Sequence, residues 1–175
     1  LLITMSLASL WVQRDTIETL ETSRQDVQRI EQKITLAQVM RGNILRGLEV
    51  AKAQIASNDE LVLAQYTTLL SVRNAASVHS MEAMKDALET EQDKAAYEAI
   101  MQVFAATSAL RTDALQTLDI HDVVRRTQFA FGPYAASAEK FSVAIDEFIK
   151  LQSLQLQAVV AHSDAQTARI AWLGG

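Results

Sequence analysis

The feature that most constrains this chain is its shortage of chain breakers. In 175 residues it has one proline, Pro133, and only 5 glycines. Tight turns draw heavily on those two residues, because one presets its backbone angle and the other tolerates left-handed backbone. A chain this poor in them has few turns, so the segments between turns must be long. The segments are rich in Ala, Leu, Gln, Glu and Met, which lose little freedom in a helix. The expected class is all-α.

Apolar periodicity divides the chain into four helical segments. The first runs from about Leu7 to Ile55, with Val27, Ile30, Ile34, Ala37, Ile44, Leu48, Ala51 and Ile55 at the three- and four-residue spacing of a bundle seam. Ser57-Asn58-Asp59 breaks it and caps the second segment, which runs to about Leu88. A polar break at Thr90 to Asp93 opens the third, which ends near Leu118. Asp119-Ile120-His121-Asp122 is the last break, and the rest is a fourth helix, interrupted or begun at Gly132-Pro133. Short connections force antiparallel neighbours. The expected architecture is an antiparallel up-down-up-down four-helix bundle, with long helices 1 and 4 and shorter helices 2 and 3. No linker, repeat or second domain interrupts residues 1–175.

Both ends of the chain turn apolar. Leu1 to Val12 carries no charge before Arg14, and Trp11 stands at its edge; Trp172 marks a similar change after Arg169. Residues 1–12 are too few to span a bilayer, which takes about 20. They fit the tail of a first transmembrane helix, and 170–175 fit the start of a second, with the tryptophans at the interface. The plainer alternative is two helix ends packed on the core.

One arginine falls where the seam asks for an apolar residue. Arg41 interrupts the column Leu20, Val27, Ile34, Leu48, Ile55. Around it the acids are missing. Helix 1 has no Asp or Glu between Glu31 and Glu49, helix 2 none between Glu60 and Glu82, helix 3 none between Glu98 and Asp113, and helix 4 none between Asp122 and Glu139. In an antiparallel bundle these gaps overlap in a belt roughly 14–27 Å from the end opposite the termini, at 1.5 Å per residue, made of Val39–Leu48, Thr67–Ala76, Ile100–Ala109 and Phe129–Ala138. The belt holds Ser108 and ten residues suited to a small ligand: Arg41, Arg46 and Arg73, the aromatics Phe104, Phe129, Phe131 and Tyr134, and the hydroxyls Thr67, Thr107 and Ser137. A buried arginine without a protein carboxylate is costly, and an anion from solution is its natural partner. Those ten residues are the candidate ligand-binding set. Arg46 lies about 140° around the helix from Arg41, so the two meet one ligand only across a two-fold axis. The alternative reading is that Arg46 and Arg73 snorkel to solvent. Gly42 and Gly47 each cost about 1 kcal/mol inside a helix, which close approach of a backbone or ligand would justify.

Other chemistry finds little support. The chain has no Cys, which rules out disulfides and fits the periplasm. His79-Ser80-Met81-Glu82 reverses the Glu-x-x-His order of di-iron bundles. There is no P-loop, GxGxxG or CxxCH, and no nucleophile–base constellation. No catalytic residue, metal or cofactor is expected. The net charge of −5 does not favour nucleic acid. Arg125-Arg126 reads as a solvated basic pair.

The chain resembles the periplasmic four-helix-bundle sensor domains of bacterial methyl-accepting chemotaxis receptors, the aspartate-receptor-like class. Arg41-x4-Arg46 matches the first two arginines of that class's Arg-x4-Arg-x3-Arg run, and Val50 stands in place of the third. Phe129-Ala130-Phe131-Gly132-Pro133-Tyr134 is similar to its Phe-Ala-Gln-Pro-Thr run on helix 4, with Tyr134 at the Thr and Gly132 at the Gln. The resemblance implies a homodimer anchored in the bacterial inner membrane, facing the periplasm, that signals for chemotaxis. Loss of the third arginine and the threonine, in a belt without acids, points away from an amino acid and toward a di- or tricarboxylate. Competing readings are a sensor-kinase input domain for an inorganic anion such as nitrate, and a structural oligomerisation module without ligand.

Overall fold

The computed structural model describes the backbone of residues 2–173, and the side chains of residues 17–169 except Thr19. The described residues are all-helical, with no strand. Helix α1 spans Leu2–Ala56, α2 Glu60–Asp86 and α3 Glu91–Thr117. The fourth helix begins as α4, Val123–Phe129, passes through a π-helical turn at Ala130–Tyr134, and continues as α5, Ala135–Leu173.

The caps explain the boundaries. Asp59 accepts from the backbone N–H groups of Leu61 and Val62 and starts α2. Thr90 and Asp93 form a reciprocal capping box at the start of α3. Asp122 accepts from the N–H of Arg125 and starts α4. Pro133 therefore lies inside the fourth helix rather than at its start. A π turn pairs a carbonyl with the N–H five residues on. The Phe129 carbonyl, which proline cannot serve, thereby falls to residue 134, and the helix absorbs its proline without ending.

The contacts divide the chain into two compact units, Leu1–Ile34 with Leu151–Gly175, and Thr35–Lys150. Sequence patterning shows no such boundary because both divisions fall inside continuous helices. In the first unit Ile30 and the Gln152 side chain are buried, and Leu20, Val27 and Val160 line a shallow groove. The flanks 1–12 and 170–175, with Trp11 and Trp172, lie outside the residues whose side chains are described. Among the described residues no helix is long and apolar enough to cross a membrane.

The second unit holds the core. Ala37, Met40, Ile44, Leu48, Ala51 and Ile55 of α1 are buried, at heptad-like spacing. They share a cluster with Leu70 and Met84 of α2, Ile100 and Ala114 of α3, Tyr134 of the π turn, and Phe141, Ile145 and Phe148 of α5. Phe104 meets the edge of Phe141 with ring centroids 6.3 Å apart. The buried row of α1 runs through Ala37, Met40 and Ile44, so Arg41 stands beside the core rather than in its centre.

Candidate functional site

The second unit contains a cavity of about 300 Å³ walled by α1, α2, α3 and the π turn. Its apolar wall includes Ile44, Leu48, Leu70, Met81 and Phe104. Asn74, Ser108 and Thr112 add neutral polar groups, and Tyr134 closes one side. Among the described residues no Asp, Glu or Lys lines it, and its single charged residue is Arg111.

Arg111 projects from α3 and is held by one hydrogen bond. Its Nε donates to the side-chain oxygen of Gln54 at 2.8 Å. Gln54 is buried, and its amide nitrogen donates in turn to the Thr67 hydroxyl at 2.9 Å. The two Nη groups of Arg111 make no hydrogen bond or ion pair among the described residues. A guanidinium fixed at Nε presents its far edge, with two N–H donors side by side, to whatever occupies the space before it.

Tyr134 is 1 % exposed, and its hydroxyl donates to the Leu48 carbonyl at 3.4 Å. Burial pushes its phenol well above the usual tyrosine range; nearby Arg111 works against that shift and Glu49 adds to it. The phenol is therefore neutral at physiological pH.

Gly47 also lines the cavity, and a Cβ built on it would meet nothing within 4 Å. No neighbour demands a glycine there. What its missing side chain does is leave the cavity open. Gly42 differs: a Cβ on it would lie 3.6 Å from the Arg46 guanidinium, an ordinary contact.

Of the ten residues expected to bind ligand, Phe104 and Tyr134 line this cavity. The expectation that Arg41 lacks a protein counter-ion fails. Its guanidinium meets both carboxylate oxygens of Asp146 at 3.4 Å, although its Nε is buried without a partner. The gap in acids on helix 4 ends at Glu139, but a side chain as long as arginine reaches along its neighbour to an acid beyond the gap. Arg46 is exposed and folds onto its own helix, donating to the Gly42 carbonyl at 2.9 Å and the Asn43 side chain at 3.2 Å. Arg73 is half-buried, lies outside the cavity lining, and has no polar side-chain partner among the described residues.

The hydroxyls are used internally. Thr107 is buried, donates to the Val103 carbonyl, and shares a 2.7 Å hydrogen bond with Ser137. Thr67 serves Gln54 and its own helix. Phe129 packs on the core edge, while Phe131 is 64 % exposed with the Lys52 ammonium 5.6 Å from its ring centre.

Sequence reasoning missed Arg111, Gln54 and Arg126. Arg111 sits inside the acid gap of helix 3 but two residues past the belt's edge at Ala109. Arg126, read as solvated, is 2 % exposed. It donates to the Gln54 carbonyl at 3.2 Å and to the Leu118 carbonyl at 3.4 Å, joining the C-terminal ends of α1 and α3. Burial pulls its guanidinium below the usual arginine range, with Asp119 opposing.

Compared with known proteins, the chain matches no family, no curated protein and no solved structure.

Proposed function

We propose that this chain is the sensor domain of a chemotaxis receptor, anchored in a bacterial inner membrane and facing the periplasm, and that it binds a small organic acid without catalysing a reaction. The observation that carries the reading is the acid-free cavity of about 300 Å³ with Arg111 as its one lining charge. Its volume lies at the lower end of small-molecule sites. The cation has two donors to spare and no carboxylate in the wall to take them.

An antiparallel up-down-up-down bundle belongs to the same proposal. Gln54 pairs with Thr67 and Asn43 with the Ala76 carbonyl; Leu48 pairs with Tyr134 and Arg41 with Asp146. In each case the number rises on one helix as it falls on the other. Signalling would be a population shift: a ligand held by Arg111 favours the helix arrangement in which Gln54 and Arg111 stay joined.

A second reading has one observation in its favour. The Arg41–Asp146 pair is what a structural helical module without ligand would show, and Leu61 and Val72 leave exposed apolar surface on α2 for a partner. Melting temperature against a panel of organic acids and nitrate separates the readings. A ligand at 100 times its dissociation constant should stabilise the chain by about 2.7 kcal/mol. Arg111→Ala should abolish that gain. No gain from any anion supports the structural module, and a gain from nitrate alone supports an inorganic-anion sensor.

A further inference from the structure

We infer that the cavity ligand is a monocarboxylate with a neutral, apolar body, bound one per chain within a single protomer. The inference rests on the organic-acid reading above and narrows it, against the di- or tricarboxylate that the arginine pattern of the sequence favoured.

Arg111 is the cavity's one cation, and Gln54 already occupies its Nε. The free Nη edge matches one carboxylate through two parallel hydrogen bonds. A second carboxylate on the same ligand would meet no second cation, only the neutral Asn74, Ser108 and Thr112 beside the apolar Ile44, Leu70 and Phe104. Neutral donors offset the desolvation of a carboxylate less fully than a guanidinium does. Tyr134 offers no rescue, because its hydroxyl is committed to the Leu48 carbonyl.

Shape leads the same way. The cavity equals the volume of about ten water molecules at ~30 Å³ each. That suits a branched short-chain acid or a single aromatic ring bearing a carboxylate. Gly47 keeps this volume open at a cost of about 1 kcal/mol relative to Ala, with no backbone or side chain close enough to require it. The wall is built by α1, α2, α3 and the π turn of one chain, and one ligand per chain is the stoichiometry that this wall supports.

The test is calorimetric titration of the 175-residue chain with isovalerate, benzoate, benzamide, succinate and citrate. Isovalerate or benzoate should bind one per chain. Benzamide, succinate and citrate should bind at least tenfold more weakly. Arg111→Gln should weaken monocarboxylate binding about ten- to hundredfold, the range expected for a charge-assisted hydrogen-bonded pair. Gly47→Leu should abolish it while the melting temperature of the unliganded chain does not fall. Tighter binding of succinate or citrate, lost in Arg111→Gln, would overturn the monocarboxylate class and leave the organic-acid site standing. Equal binding of benzamide would overturn the role of the charge, and one ligand per two chains would overturn the single-protomer site. Binding of nothing in the panel, or binding untouched by both variants, would overturn the inference and the site together.

Discussion

Arg41 on α1 and Arg111 on α3 are both partly buried arginines of the same unit, and their surroundings treat them oppositely. Arg41 has its Nη groups on Asp146 and an orphaned Nε, and its side chain remains 40 % exposed. Arg111 has its Nε on Gln54 and two unengaged Nη groups, and it lines a cavity without acids among the described residues. One arginine is finished by the fold, and the other is held in place with its binding edge free. Arginine in a helical seam is therefore not by itself the mark of an anion site. Under the proposed function, the mark is a guanidinium whose orientation is fixed by a neutral partner while its carboxylate partner is missing.

Arg126 puts the comparison under the greatest strain, since it is more buried than either, its Nη groups meet only carbonyls, and its Nε is buried without a partner. Arg126→Ala should cost about 2–4 kcal/mol, through lost charge-assisted hydrogen bonds and a cavity. Arg126→Met should cost much less, because an apolar chain fills the space without the desolvation penalty. Urea unfolding of both variants decides it. Equal losses would mean that the charge, not the volume, holds the helix ends together.

Tyr134 tests whether the cavity wall is dry. A phenol whose pKa is raised in the fold keeps its proton there while the unfolded chain ionises near pH 10. Its contribution is complete below that pH, and stability falls as pH rises beyond it, by about 1.4 kcal/mol per pH unit. Tyr97, also raised by burial and by Glu98, adds to the fall. Tyr134→Phe should remove one such increment between pH 10 and 11 in urea titrations, with little change at pH 7. An unchanged alkaline slope would mean a solvated wall.

The smallest effect belongs to Arg41. Its pair with Asp146 is long at 3.4 Å, and both partners are substantially exposed. A double-mutant cycle with Arg41→Ala and Asp146→Ala should give a coupling of about 0.2–1 kcal/mol. Ligand binding should be unchanged in either variant. Lost binding in Arg41→Ala alone would return Arg41 to the site and collapse the contrast with Arg111.

Much of this was readable from the chain. Asp59, Thr90 with Asp93, and Asp122 each announce a helix start within a few residues of it, because a cap is satisfied by its own next turn. The apolar column on α1 marks the buried face for the same local reason. Phe104 and Tyr134, expected in the belt, line the cavity, because aromatic residues in a seam tend to border whatever space is left there. Arg111 was missed because the belt's edge was set by counting residues from the turns. An arginine two residues past that edge still lines the cavity.

The sequence by itself determined that the described residues are helical, where those helices begin, and which of their faces are apolar. All of that follows from a 3.6-residue period and from contacts within one turn. Only the tertiary structure decided which arginine is neutralised. Arg41 and Asp146 lie 105 residues apart. Whether they touch depends on the offset and rotation of two helices, and on side chains long enough to reach past an approximate register. Asp146 lies 7 residues beyond Glu139, where the acid gap of its helix ends, and only the packed helices show that Arg41 reaches it while Arg111 lines a cavity without acids.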